Sequence, residues 1–411
     1  MLKPDQRSEP TGACLQPDTR PQLDQSSAVA VLDPSAGGDC SCEALVSRVE
    51  CQLAESPTLR RRLAATPPAA DGTPPRRPAE LIHPIVPTGA VSERALCALV
   101  GELSARPLDP LQSPWCLYVI EGLCGGLVAV ALVMDGALAT PAACTEILRD
   151  LLGMTARSGP SQAGDDDENG SDTQAFATSE QAQCRAGCEP EEPERLGEAA
   201  APGPGALAQR WSEPLSDARI AAYARSHLAA IDVVRRTFGG TREDVALAAC
   251  TRALRRYLQA HGDPVEHPLV AALPGDARDA APLRFARLPI QVGDPVDQLR
   301  IIQSQTLRAH EAGAGAELPP HDLVFVYQAG PAKTLYMEGT PVVALHPHGA
   351  LRAGSGLDLR VMRYGASIDF GLMACPDLVP DAVEIATGID AAVADLVKRS
   401  FEEREGSLEL R

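Results

Sequence analysis

Apolar positions fall into short blocks separated by Pro- and Gly-rich breaks, and the spacing within each block predicts its element. Residues 27–34 (SAVAVLDP), 117–120 and 127–134 read as strands, since a short apolar run bounded by turn residues suits a strand buried on both faces. Residues 80–87 (ELIHPIVP) are strand-like but broken by Pro84, which predicts an edge strand or a loop. Helical spacing appears at 43–54, where Ala44, Leu45, Val49 and Leu53 share a face. It appears again at 92–103 (Leu96, Leu99, Val100, Leu103) and at 145–152. In the second half, residues 216–237 read as one helix stopped by Gly239-Gly240. Thr241 opens another, with Asp244 three residues on as its capping partner. Its buried face is Val245, Ala249, Cys250, Ala253, Leu254 and Tyr257. Three strands (PLVAAL, LVFVY, PVVALHP), a hairpin hinged on Tyr364-Gly365 and a helix over about 381–401 complete the pattern. Helices and strands alternate in both halves, so the expected class is α/β in two domains.

Composition then sets the boundaries. Residues 1–25 are Pro-rich and polar, the signature of a disordered tail. Residues 153–210 carry Asp165-Asp166-Asp167-Glu168, a second acidic run and then Pro, Gly and Ala, which reads as a solvated linker. The expected division is an N-terminal domain over 26–152 and a C-terminal domain over 211–411. The net charge of -18 argues against nucleic acid, whose phosphates call for Lys and Arg, and only three lysines are present. Arg60-Arg61-Arg62 reads as a solvated helix end.

The chemistry-bearing residues are thinly spread. Twelve cysteines are scattered without paired zinc spacing, so no metal site is expected. Cys116, Cys124, Cys144, Cys250 and Cys375 sit in apolar patterns and read as small core residues. The N-terminal residues lack the apolar stretch of a signal peptide. The longest apolar run, between Glu121 and Asp135, is interrupted by Gly122, Gly125 and Gly126, whereas a spanning helix needs about 20 apolar residues. A cytoplasmic protein, peripheral at a membrane or lipid-body surface, is the resulting expectation. His83, His227, His261, His267, His310 and His321 read as solvated.

Several segments together carry a family pattern: SPTLRRRL, RPLDPLQSPWCLYVIEGLCGG and EILRDLL in the first half, then GGTREDVALAACTRALRRYL, ARLPIQVGDPVDQLR, GTPVVALHPHG, GSGLDLRVMRYGASIDFGL and PDLVP. In order and spacing the chain resembles the bacterial wax ester synthase/diacylglycerol O-acyltransferase family. The resemblance implies two chloramphenicol-acetyltransferase-like domains, each a mixed sheet flanked by helices, with a channel between them. It implies acyl transfer from acyl-CoA, as co-substrate, to diacylglycerol or a fatty alcohol, the chemistry of triacylglycerol and wax ester synthesis.

The family's HHxxxDG signature supplies an imidazole base, which titrates near working pH and can take and return a proton. Laid ungapped on this chain, the flanking segments put Asp135 and Gly136 at the two histidines and Thr140-Pro141 at the Asp-Gly pair. Equating Asp135-Gly136 with the motif's own Asp-Gly instead puts Val130 and Ala131 there. Neither frame yields a histidine. The resemblance also places Glu243 at the Asn of the family's Asn-Asp pair, with Asp244 retained, and Tyr327 at the Asn of SNVPGP. These changes suggest a catalytically impaired descendant, a pseudoenzyme that binds acyl-CoA or lipid or regulates a partner. The alternative is an active O-acyltransferase with Asp135, His346 or His348 as the substitute base.

Overall fold

A computed structural model of the chain describes residues 25–64, 76–109, 113–136, 138, 140–156, 215–274, 284–311, 321–351 and 355–409. The predicted tail, most of the acidic linker and most of the 64–78 loop lie outside these residues. Two mixed sheets form the frame. The first, seven strands in the order β2-β3-β4-β1-β11-β10-β5, contains β1 (Gln25–Leu32), β2 (Ile82–Ile85), β3 (Trp115–Ile120), β4 (Val128–Asp135) and β5 (Thr155–Ala156). It is completed from the other half of the chain by β10 (Leu335–Met337) and β11 (Thr340–His348). The second sheet runs β6-β13-β12-β9-β7-β8, from β6 (Ile220–His227), β7 (Leu269–Leu273), β8 (Arg284–Leu288), β9 (Leu323–Gln328), β12 (Leu357–Tyr364) and β13 (Ser367–Ala374).

Both faces of the first sheet are buried, which is why its strands read as apolar runs. On one face Ala28, Ala30 and Leu32 pack with Leu117, Val130 and Leu132 under α1 (Cys42–Glu55), α2 (Pro57–Leu63) and α4 (Pro141–Leu151). On the other, Val29, Val31, Ala129, Ala131 and Val133 join a core shared with α3 (Glu93–Ser104) and the second sheet. That sheet is backed by α5 (Leu228–Phe238), α6 (Arg242–Ala260), α7 (Pro295–Glu311) and α8 (Ala382–Glu409). Two glycines bring the layers together. A Cβ on Gly101 of α3 would strike the Arg219 carbonyl before β6, and one on Gly371 of β13 would strike the Pro347 carbonyl of β11.

Local signals held where they were short-range. Pro84 lies in β2 at the end of the first sheet. Thr241 and Asp244 form a reciprocal capping box at 2.8 and 3.1 Å. Gly365, with φ of 55°, turns the β12–β13 hairpin. The segment 216–237 is corrected: it is strand β6 followed by α5, because residues 220–227 pair along their whole length with β13. The last helix extends to Glu409. Cys124 is exposed, and its neighbours Gly125 and Gly126 take positive φ in the turn before β4. His83 lies on β2, half-buried beside Tyr118, rather than in a loop.

Candidate functional site

The side chains of interest collect where β11 crosses from the first sheet onto β13 and β6 of the second. In β1 the register sets Gln25 opposite Asp135 of β4 and Ser27 opposite His348 of β11. Directly opposed residues point to one face, so Asp135, Gln25, Ser27, His348 and, two residues on, His346 share the face turned to the second sheet. Asp135 and His348 are two strand spacings apart and two residues offset, a Cα separation of about 12 Å.

Asp135 closes β4. Its amide donates to the Pro114 carbonyl at 2.9 Å, and its carbonyl accepts from Leu138 at 3.0 Å, turning the chain at Gly136. Thr140 then caps α4 by accepting from Ala143 N at 3.3 Å. Pro141 opens the helix, where a missing N–H costs nothing.

His346 and His348 are not surface residues, although each neighbours Pro347: they are 7% and 0% exposed. Tyr223 of β6 stacks on His346, with ring centroids 4.4 Å apart and planes 28° apart, and lies 5.3 Å from the His348 ring. Ser104 of α3 donates to Ser27 Oγ at 3.2 Å, which leaves the Ser27 proton for His348 Nδ1 at 3.3 Å. This network assigns the remaining His348 proton to Nε2. His346 hydrogen-bonds to the backbone at Phe370 while its Nδ1 has no partner, so Nδ1 carries the lone pair. Three buried polar atoms, Tyr223 Oη, His346 Nδ1 and His348 Nε2, therefore lack a protein partner among the described residues. Leaving such an atom unmatched costs about 1–3 kcal/mol, which makes three in one cluster conspicuous.

Burial governs the electrostatics. It lowers His346 to about 4, with Asp369 opposing and Arg225 assisting, and lowers His348 to about 3, assisted by the His346 and Arg360 charges. Burial likewise raises the Tyr223 phenol well above its usual value. All three rings are neutral at pH 7. Beside them Asp369, fully buried, accepts from Arg225 Nε and Nη2 at 2.7 and 2.8 Å, from Leu345 N at 3.0 Å and from Ser367 Oγ at 2.8 Å. Asp358 similarly holds Arg360 and the Gly349 amide, which fixes the end of β11.

The remaining sequence candidates lie elsewhere. Asp244 ties the start of α6 to α7, accepting from Thr306 Oγ1 at 2.5 Å. Glu243 beside it is half-buried and raised to about 7, by burial first and then by the Asp244 charge. Tyr327 pairs in register with Val361 on the helix-facing side of the second sheet, three strands from β6 and opposite the Tyr223 face. Neither Glu243 nor Tyr327 joins the histidine cluster. Sequence reasoning missed Tyr223, Ser27 and Ser104. The one visible signal was the polar start of β1, Gln25-Ser26-Ser27, ahead of its apolar run. Away from this region His261, Asp381 and Glu384 bring potential ligand atoms within 4.8 Å of one another, but Asp381 already pairs with Arg94.

Residues 13–246 match the wax ester synthase/diacylglycerol acyltransferase catalytic domain, and residues 318–396 match the C-terminal domain of the same proteins. The chain belongs to the wax ester synthase/diacylglycerol acyltransferase family. A putative diacylglycerol O-acyltransferase of Mycobacterium tuberculosis (strain ATCC 25618 / H37Rv) is 30% identical over 235 residues, 48% of this chain. That match spans about half the relative's length, 47%. The probable diacylglycerol O-acyltransferase tgs1 of the same organism is 27% identical over 378 residues, 78% of this chain and 80% of tgs1. The structure of a wax ester synthase/diacylglycerol acyltransferase from Marinobacter aquaeolei VT8 superposes with a TM-score of 0.65 at 17% identity, over 92% of this chain and 95% of that one. The trichothecene 15-O-acetyltransferase of Fusarium sporotrichioides follows at 0.52 and 12%, over 90% and 92%. At these identities the superpositions establish the α/β fold with two mixed sheets. Among the described residues, no helix of this family member is long and apolar enough to cross a membrane.

Proposed function

We infer that this chain binds acyl-CoA and a lipid acceptor between its two sheets, and that transfer to diacylglycerol or a fatty alcohol is impaired at the inherited base position. The observation that carries this reading is the end of β4. There the ungapped frame of the family motif has Asp135 and Gly136 in place of two histidines, and the turn is occupied by structural hydrogen bonds instead. Glycine has no side chain to offer, and at Asp135 a carboxylate stands where the family motif has an imidazole. The division into residues 26–152, an acidic linker over 153–210 and residues 211–411 goes with this reading, as does a peripheral location where neutral lipid accumulates.

The test restores the motif. Asp135→His/Gly136→His/Thr140→Asp/Pro141→Gly is assayed with long-chain acyl-CoA plus diacylglycerol or alcohol. A rise in ester formation of about 10²-fold or more over the parent is expected, the usual range for a positioned base. A folded variant with no gain overturns the impaired-base reading. A second reading, residual activity through a substitute base, is favoured by the buried His346/His348 pair.

A further inference from the structure

The unmatched atoms at the β6–β11 junction are complementary. His346 Nδ1 presents a lone pair, His348 Nε2 presents a proton, and Tyr223 Oη can do either. A hydroxyl group donates one proton and accepts through two lone pairs, so in donor and acceptor type a single hydroxyl matches all three. A thioester carbonyl only accepts and leaves His346 Nδ1 unmet, and a carboxylate fails in the same way. The site is built, because every ring in it is fixed from behind. His346 is stacked by Tyr223 and bonded at Phe370. His348 is held by the Ser27–Ser104 hydroxyl pair. Strand β11 itself is held by Asp369 through the Leu345 amide. His346 and His348 lie on the same face of the first sheet as Asp135, two strands away.

We propose that His346, His348 and Tyr223 form the receptor for the acceptor's hydroxyl, with His346 Nδ1 taking its proton. This rests on the second reading above, that residual transfer from acyl-CoA runs through a substitute base. In the step, the alcohol proton moves to His346 Nδ1 and the alcohol oxygen bonds to the thioester carbonyl carbon. The C–S bond then breaks, and the CoA thiolate takes the proton from His346. The products are an ester and free CoA thiol, and the imidazole ends neutral as it began. While protonated, His346 faces Asp369, whose carboxylate favours the charged ring, and Arg225, which opposes it. Ser27 and Ser104 act as positioning residues by holding the His348 tautomer.

The experiment uses the full chain and two separate readouts. Calorimetry measures binding of an S-alkyl CoA thioether that cannot react, and ester formation is followed from long-chain acyl-CoA and a long-chain alcohol. His346→Gln is expected to lower transfer about 10²–10⁴-fold while thioether binding stays within about threefold. Tyr223→Phe, which keeps the stacked ring, is expected to raise the KM for alcohol and leave that for acyl-CoA unchanged. Because His346 is neutral above pH 5, the rate is expected to be flat from pH 6 to 9. Parent protein that binds the thioether yet forms no ester overturns this proposal and leaves the impaired reading standing. Transfer retained in folded His346→Gln, with only a lower melting temperature, shows a structural water site and overturns it too. So does transfer lost in Asp135→Ala but not in His346→Gln. Should His346→Gln fail to fold, His346→Asn and Tyr223→Phe carry the same comparison. If the parent does not bind the thioether at all, the acyl-CoA reading fails and takes this proposal with it.

Discussion

Asp369→Asn tests whether the junction between the sheets is clamped as described. The carboxylate is fully buried and accepts four hydrogen bonds, two from Arg225 of β6, one from the Leu345 amide of β11 and one from Ser367. An amide of the same shape can keep its oxygen towards Arg225 Nη2 and Leu345 N. Its NH2 then faces Arg225 Nε–H, donor against donor, and the negative charge is gone. A hydrogen bond to a charged group is worth about 1.5–3 kcal/mol, and breaking a buried pair costs about 3–5 kcal/mol. The Arg225 side chain is 39% exposed, so water recovers part of its solvation, and about 3 kcal/mol is the expected loss. For a cooperative unit of 150–250 residues this lowers Tm by about 6–12 °C.

Far-UV circular dichroism melts at pH 7 measure it directly. Arg225→Met should cost a similar amount, and the double variant should be no worse than the poorer single, because both remove one interaction. A fall below about 2 °C in Asp369→Asn would refute the clamp. So would full additivity of the two substitutions, since it would mean that Asp369 and Arg225 stabilise the chain independently.

Two further predictions concern pH. With His346 at about 4 and His348 at about 3, against about 6.5 in the unfolded chain, unfolding takes up protons below pH 6.5, so stability is full above that value and is lost as pH falls towards 4 and then 3. The charged and titratable groups around them are Asp369, Arg225, Tyr223 and Arg360. The urea midpoint should fall by about 2–4 kcal/mol equivalent from pH 7 to 5, and by clearly less in His346→Gln/His348→Gln; equal slopes would sink the assignment. Glu243, raised to about 7 from 4.5, behaves oppositely: the folded chain keeps a proton that the unfolded chain releases, so stability is full below pH 4.5 and declines as pH rises towards 7. Glu243→Gln should therefore be neutral at pH 5 and, allowing for partial exposure, gain about 1–2 kcal/mol at pH 8; no gain in the pH 8 urea midpoint would count against it.

What could be read from the sequence depended on the range of the interaction responsible. Helix starts at Thr241 and Ser92, the turn at Gly365 and the buried run before Asp135 are set by neighbours within a few residues, and each was legible. Strand β6 was not. In residues 220–238 the small alanines fit a helical stripe as well as a pleated face, and eight long-range pairings with β13 decide the matter. The same limit hides the candidate site. The pattern LHPHG is visible, but β11 joins β1 and packs on β13 only through contacts across more than 300 and about 25 residues of chain. Tyr223 was lost with β6, so its stacking on His346 could not be foreseen.

The structure also separates two kinds of motif residue. Thr241 and Asp244 have folding work at the start of α6, where they form the capping box. A Cβ on Gly330 would strike the Arg363 carbonyl and the Met362 side chain. In the β4–α4 turn Gly136 turns the chain, Thr140 caps the helix and Pro141 occupies its first position. Aspartate caps about as well as threonine, and replacing proline at the first helical position restores no lost hydrogen bond. Restoring the motif therefore disturbs little of what holds the turn together. Its effect on transfer should report on the chemistry of the base, separately from the stability of the fold around it.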